Sequence, residues 1–141
     1  MPVNKLPKLS IIVASEKLDK IFPAVTLAST AAVMGWESEM FFTFWGLLAL
    51  KKDYEPSEVS PDYKDYGEEL KKAVSSGAMP EWRKVLDQGK KTGKLKIYAC
   101  STTMSLLGIK REDLREFVDE IVGAAYFLGK AKYSDVNLFI S

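Results

Sequence analysis

Cys100 is the only cysteine in this chain, and the chain holds no histidine. It lies in Leu95-Lys96-Ile97-Tyr98-Ala99-Cys100-Ser101-Thr102-Thr103-Met104-Ser105-Leu106-Leu107-Gly108. Leu95 to Ala99 is short, rich in apolar residues and preceded by Thr92-Gly93-Lys94, the pattern of a buried strand. Ser101 and Thr102 are good helix N-cap types ahead of a short apolar segment that stops at Gly108. A thiol at such a strand-to-helix junction meets unpaired backbone N–H groups and the positive end of a helix, which favour its thiolate. The chemistry this allows is nucleophilic attack by sulfur, without an imidazole base and without a resolving thiol in the same chain. Ser-His-Asp and Cys-His catalysis, histidine metal ligands, an internal disulfide and CxxC sites are all excluded. A lone free thiol fits a reducing cytoplasm. The competing reading is plain packing, because free cysteine is among the most buried residue types.

Other segments bear on the same region. Ser15 and Thr43-Phe44-Trp45-Gly46 each fall where a strand is expected to end, as Cys100 does. In a layered α/β domain, ligands gather at the carboxyl ends of the strands. Trp45 or Phe44 is expected to wall a partly dry cavity over the thiol, against the commoner role of an aromatic pair in packing. Gly89-Lys90-Lys91-Thr92-Gly93-Lys94 imitates a phosphate loop but fails as one. It is one residue short of GxxxxGK[ST], Leu95 replaces the hydroxyl residue, and it precedes a strand where the motif needs a helix. No GxGxxG is present.

The elements that must position these residues alternate between strand and helix. Leu9 to Ala14 is nearly continuously apolar, as a strand covered on both faces should be. Asp19 to Gly35 reads as a helix with Pro23 in its first turn and Gly35 as its stop. Glu37 to Phe44 is a second strand, and Trp45 to Leu50 a turn opening a short helix. Lys51 to Pro80, with three prolines, several tyrosines and many charges, is long for a connection and is expected to be a lid or interface arm with some helix in Tyr66 to Ser75. Pro80 starts a helix to about Gly89, with Trp82, Val85 and Leu86 on one face. The spacing of Leu114, Phe117, Val118, Ile121, Val122, Ala125 and Leu128 predicts a long amphipathic helix begun by Glu112 and Asp113. Val136 to Ile140 closes the chain as a strand. The order predicts a single α/β domain over residues 1–141, with a mostly parallel sheet of about four or five strands and an insertion at about 51–80.

Composition narrows the function classes. The chain is 47% hydrophobic and 28% charged, as globular proteins are, with 20 basic against 19 acidic side chains. That balance, without a polybasic run, argues against nucleic acid. Ile21 to Trp36 is uncharged but shorter than the roughly 20 residues of a spanning helix, so no membrane span is expected. Met1 to Lys8 has no secretory pattern. The apolar first helix and Phe41 to Leu50 offer more apolar surface than a monomer can bury, which predicts an oligomer.

Two stretches carry a resemblance. Met40-Phe41-Phe42-Thr43-Phe44-Trp45-Gly46-Leu47 and Ile97-Tyr98-Ala99-Cys100-Ser101-Thr102-Thr103-Met104-Ser105-Leu106-Leu107-Gly108-Ile109 make the chain similar, over nearly its whole length, to the DsrE/DsrF-like family of sulfur-relay proteins, in particular its thiosulfonate-carrying branch. The resemblance implies a three-layer α/β/α fold, homo- or hetero-oligomers, no organic cofactor, and a reactive cysteine at Cys100. Some relatives carry a second cysteine shortly afterwards, whereas Ser101 to Gly108 has none, so a mechanism using two thiols of one subunit does not carry over.

The expected function is then a sulfur carrier or sulfurtransferase. Cys100 takes sulfane sulfur or thiosulfonate from an inorganic or protein-bound donor and passes it to a small sulfur-carrier protein or other thiol acceptor. Ser101, Thr102 and Thr103 are expected to hold the anionic adduct, with Thr43, Trp45, Gly46 and Ser15 around it and no metal. Exchange of this kind needs an accessible sulfur of low pKa more than a general base. The alternatives are an oligomeric scaffold or small-ligand subunit in which the cysteine only packs, and a thiol redox sensor that forms a sulfenate or an intersubunit disulfide.

Overall fold

The structure, a computed structural model, describes residues 5–141. Residues 1–4, half of the Met1 to Lys8 stretch read above, lie outside the described residues. The element order is β1 (Lys8–Val13), α1 (Leu18–Val33), β2 (Glu37–Phe42), a 3-10 turn (Phe44–Leu50), a second 3-10 turn (Pro61–Tyr66), α2 (Gly67–Ser75), α3 (Trp82–Lys91), β3 (Leu95–Cys100), α4 (Ser101–Leu107), a third 3-10 turn (Arg111–Asp113), β4 (Glu120–Val122), α5 (Ala124–Ala131) and β5 (Val136–Ile140). The strands form one five-stranded sheet in the order β4-β3-β2-β1-β5. Every neighbouring pair is parallel.

Helices cover both faces, and the alternation within each strand shows which residues meet which layer. Ser38, Met40 and Phe42 share the β2 face toward α1, where Ser38 Oγ donates to the Ala28 carbonyl at 2.8 Å. Phe41 faces α5 and stacks on Phe127 with ring centroids 4.8 Å apart, and Tyr98 of β3 meets the same ring edge-on at 6.2 Å. Ser10 and Glu39 lie buried on that second face, where Ser10 Oγ donates to Glu39 Oε1 at 2.8 Å and Lys8 Nζ pairs with the carboxylate at 3.2 Å. The buried charge is thus both paired and hydrogen-bonded.

Beside the sheet, α1 and α3 cross closely because Gly89 has no side chain. A Cβ there would lie 2.6 Å from Ser29 Oγ and 2.9 Å from Ser29 Cα. Pro23 lies past the first turn of α1, on its exposed side, where sequence placed it within that turn. The lost N–H would have bonded the Asp19 carbonyl, so the cost is confined to the first turn of a helix held by packing. β2 stops at Phe42, short of the expected Phe44, because Phe44 turns the chain. The helix expected from Pro80 begins at Trp82 with Glu81 as its N-cap.

The largest departure is the long helix expected from Leu114 to Leu128. That segment is extended chain and turn, the edge strand β4, and only then α5. Its backbone is claimed by neighbours. Arg115 N donates to the Leu50 carbonyl at 2.8 Å, Leu114 bridges to Lys51, and Asp119 N donates to the Ile97 carbonyl at 2.8 Å. The Arg115 guanidinium bonds the carbonyls of Ala49 (3.1 Å) and Tyr54 (2.6 Å), anchoring the segment on the far side of the 3-10 turn. Helical spacing of apolar residues here serves an irregular chain with its own burial demands.

Gly89→Ala is expected to force α3 off α1 and lower stability by about 1–3 kcal/mol, as overpacking of a core does. Urea unfolding should show a lower midpoint at unchanged slope. An unchanged midpoint would mean that the crossing is less tight than the geometry states.

Candidate functional site

Parallel register brings three strand ends level. Phe42 is paired with Ala99, and Cys100 with Val122, so Thr43, Cys100 and Val122 continue one row across the carboxyl edge of the sheet. Side chains of one row share a face, here the α5 side. Cys100 ends β3 and is itself the N-cap of α4, with φ −72° and ψ 116°. Sequence had assigned that role to Ser101 or Thr102. The sulfur therefore occupies the place from which an N-cap side chain reaches the amides of the second and third helical residues, Thr102 and Thr103. The neutral thiol, a weak acceptor, makes no cap hydrogen bond.

Thr103 is the hub of the local network. Its Oγ1 accepts from the Phe44 amide at 2.9 Å and lies 3.3 Å from Thr43 Oγ1. With a lone pair engaged by Phe44, the Thr103 hydroxyl proton is free to point at Thr43 or the sulfur. Phe44 pays for this position with φ 46°, the one positive value among the described non-glycine residues. Left-handed backbone costs a residue with a Cβ roughly 1–2 kcal/mol, and such strain persists where surroundings hold it.

Burial pushes the Cys100 thiol up, but the hydroxyls of Thr43 and Thr103 and the amides of Thr103 and Thr102 outweigh it and leave the thiol below its ordinary range. Each of the lowering contacts is a neutral dipole, with no lysine or arginine among them. The thiolate would thus be stabilised by hydrogen bonds that bulk salt screens little. Cys100 is buried, at 6% exposed.

The other expected site residues divide. Gly46 is required where the 3-10 turn crosses the end of β1, since a Cβ would fall 2.3 Å from the Val13 carbonyl oxygen. Ser101 is half-buried, with its Oγ facing Gly123 beyond β4, and the Thr102 side chain is exposed. Ser15 closes its own loop, accepting from Lys17 N at 3.2 Å, and makes no hydrogen bond to the Thr43–Thr103 pair. Trp45 is 52% exposed and meets the 54% exposed Phe44 edge-on at 5.8 Å. Both rings are exposed and pack on each other, where one of them is expected to wall a partly dry cavity.

The Lys51 to Pro80 segment docks on the start of α1 through Glu58 and Ser60. Leu18 N donates to the Glu58 carbonyl (2.8 Å), and Ser60 N to Asp19 Oδ1 (2.7 Å). Clefts of about 680 and 380 Å³ lie along it, the second beneath α2 and lined by Phe22, Leu70, Val74 and Trp82 among others. Neither is lined by Cys100. Among the described residues, no group of three or more acidic or cysteine side chains gathers as a metal site.

A five-stranded parallel sheet with helices on both sides is a DsrE-like α/β fold. The sequence model of the DsrE/DsrF/DrsH-like family matches residues 5–66 and 60–139, and the chain belongs to that family. It is 32% identical over 172 residues to the sulfur carrier protein DsrE2 of Allochromatium vinosum, covering 94% of this chain and 98% of the relative. It is 29% identical over 160 residues to the uncharacterized protein YrkE of Bacillus subtilis, covering 94% and 96%. Two solved structures share the fold at low identity. They are the ychN protein of E. coli (TM-score 0.62, 15% identity, 96% of this chain and 100% of that one) and protein MTH1491 of Methanobacterium thermoautotrophicum (TM-score 0.58, 14% identity, 94% and 98%).

Thr103→Val removes a hydroxyl donor from the sulfur and the acceptor of the Phe44 amide. Loss of donors to the thiolate favours the protonated form, so the midpoint of Cys100 alkylation against pH should move upward. Thr103→Ser should restore it. Measured in low and in high salt, the wild-type midpoint should stay put, because neutral dipoles set it. A large salt shift would point to an ionic partner instead.

Proposed function

We propose that this protein is a sulfur carrier that holds sulfane sulfur or thiosulfonate on Cys100 and passes it to the thiol of a partner. The observation that carries the reading is the Cys100 sulfur set as a helix N-cap, with two hydroxyls and two amides favouring its thiolate. The family match and the name of the Allochromatium relative agree with it. From a persulfide donor, the thiolate attacks the terminal sulfur, the donor's S–S bond breaks, and the donor leaves as thiolate. From tetrathionate, attack on an inner sulfur leaves thiosulfate as the departing group and a thiosulfonate on Cys100. In discharge, the acceptor's thiolate attacks the sulfur bonded to Cys100 Sγ, that S–S bond breaks, and Cys100 departs with the electron pair. A low thiol pKa helps that last step as well, since it makes the better leaving group. The Thr102 and Thr103 amides would hold the anionic adduct, with Thr43 assisting.

Around this centre, the chain acts as one domain over residues 1–141, with 51–80 as lid or interface arm. It works as a homo-oligomer in the cytoplasm. Exposed Leu27, Val33 and Met34 on α1 and its end, with Leu128 on α5 and Phe139 on β5, are apolar surface that subunit contacts would cover. Among the described residues, no helix is long and apolar enough to cross a membrane. The near-complete burial of Cys100 favours a second reading, in which the chain is a scaffold subunit and the cysteine only packs.

Intact mass after exposure to tetrathionate or polysulfide separates the two. A gain of thiosulfonate or sulfur that a dithiol reverses is expected on wild type and is expected to vanish in Cys100→Ser. Folded wild type that gains nothing would support the scaffold.

A further inference from the structure

The edge strand β4 carries a feature that the carrier chemistry at Cys100 leaves unused. An open cleft of about 430 Å³ is lined by Arg111, Glu120, Ile121, Val122, Gly123 and Tyr126. Cys100 does not line it, but the strand beside Cys100 does. Val122 is the register partner of Cys100, and Glu120 that of Tyr98. Paired residues of parallel strands project to the same face, so Glu120, Val122 and Cys100 lie on the same side of the sheet, with Val122 one strand spacing of about 4.8 Å from Cys100 and Glu120 two residues back along β4, beside Tyr98.

The cleft holds one cation and one anion. Arg83 and Arg115 both pair with Glu55, at 3.1 and 3.5 Å, whereas Arg111, the third arginine of the chain, pairs with no acid among the described residues. Glu120 likewise has no cationic partner there. Its carboxylate accepts from the Tyr126 hydroxyl at 3.4 Å, and its charge raises the Tyr126 pKa and so keeps that donor protonated. Tyr126 is in turn set edge-on against Tyr98 at 6.0 Å. An unpaired guanidinium and an unpaired, oriented carboxylate in one cleft match a ligand that bears both charges. A bare sulfur anion has use for only the first.

Resting on the carrier reading above, we propose that this cleft binds the zwitterionic head of an α-amino-acid persulfide, with Arg111 on its carboxylate and Glu120 on its ammonium group. The short side chain of cysteine persulfide then reaches across one strand to Cys100. The thiolate attacks the terminal sulfur, the S–S bond breaks, cysteine thiolate leaves with the electron pair, and the sulfur stays on Cys100 as persulfide with its proton. No oxidant or reductant is consumed. Glutathione persulfide, whose amino-acid head is a peptide's length from its sulfur, fits this spacing poorly.

The test pairs ligand groups with residues. Initial rates of Cys100 persulfidation, read by intact mass, are taken with cysteine persulfide, with cysteamine persulfide (no carboxylate) and with 3-mercaptopropionate persulfide (no ammonium). Wild type should favour cysteine persulfide over each by about tenfold or more, the value of one charge-assisted contact. Arg111→Gln should erase the preference over cysteamine persulfide only, and Glu120→Gln the preference over 3-mercaptopropionate persulfide only. Equal rates on wild type, equal losses in both variants, or the same pairing with glutathione persulfide preferred would overturn the proposal. NMR titration with S-methyl-L-cysteine, which cannot donate sulfur, reads the cleft without the transfer step. Shifts at Gly123 and Tyr126 that both variants weaken, in a protein that accepts sulfur from no donor, would uphold the cleft and remove the carrier reading. No shifts would remove the cleft.

Discussion

The hydrogen bond from the Phe44 amide to the Thr103 hydroxyl is the contact on which the site depends. It ties the turn after β2 to the first turn of α4 and brings Thr43 within 3.3 Å of Thr103. By occupying the oxygen of Thr103 it also decides where that hydroxyl can send its proton. Without it, Phe44 would have no reason to remain at φ 46°, and Cys100 would face two unrelated loops. A site made from neutral dipoles is weak in each contact but is not screened away by salt, and it suits an anion that comes and goes on one sulfur atom.

The fold supplies the alignment. Five parallel strands in register present their carboxyl ends together, and the order β4-β3-β2-β1-β5 puts Cys100 between the turn after β2 and the edge strand β4. Two close approaches hold the layers in place. Gly46 lets the 3-10 turn pass over the Val13 carbonyl, and Gly89 lets α3 lie against α1. The sheet's second face is covered more sparsely, since α5 spans only Ala124–Ala131. That leaves the cleft along β4 open while Cys100 itself stays buried.

Much of this was legible in the sequence, for physical reasons that differ by element. β1, β2, β3 and β5 are apolar runs flanked by turn residues, and α1 is long enough for its period to show. The position of Cys100 at the junction of β3 and α4 followed from the same cues. Its role as the cap did not, because serine and threonine stand immediately after it and are the commoner capping types. The 114–128 segment misled because periodicity records which residues are buried and not which backbone partners are offered. Leu50, Lys51 and Ile97 offer them there, and a strand of three residues is too short to display alternation. Reading that stretch as a helix also hid that Arg111 and Glu120 line one cleft without pairing. The left-handed Phe44 had no signal, since nothing in Thr43-Phe44-Trp45-Gly46 asks for it except the hydroxyl of a residue far along the chain.

The most direct test of the central claim is a high-resolution crystal structure of the protein after tetrathionate treatment. A thiosulfonate on Cys100 Sγ, with its oxygens or outer sulfur within hydrogen-bond reach of the Thr102 and Thr103 amides and the Thr43 hydroxyl, is the result this account requires. An unmodified, buried Cys100 in protein that has been soaked to saturation, with Thr43 and Thr103 unmoved, would contradict it.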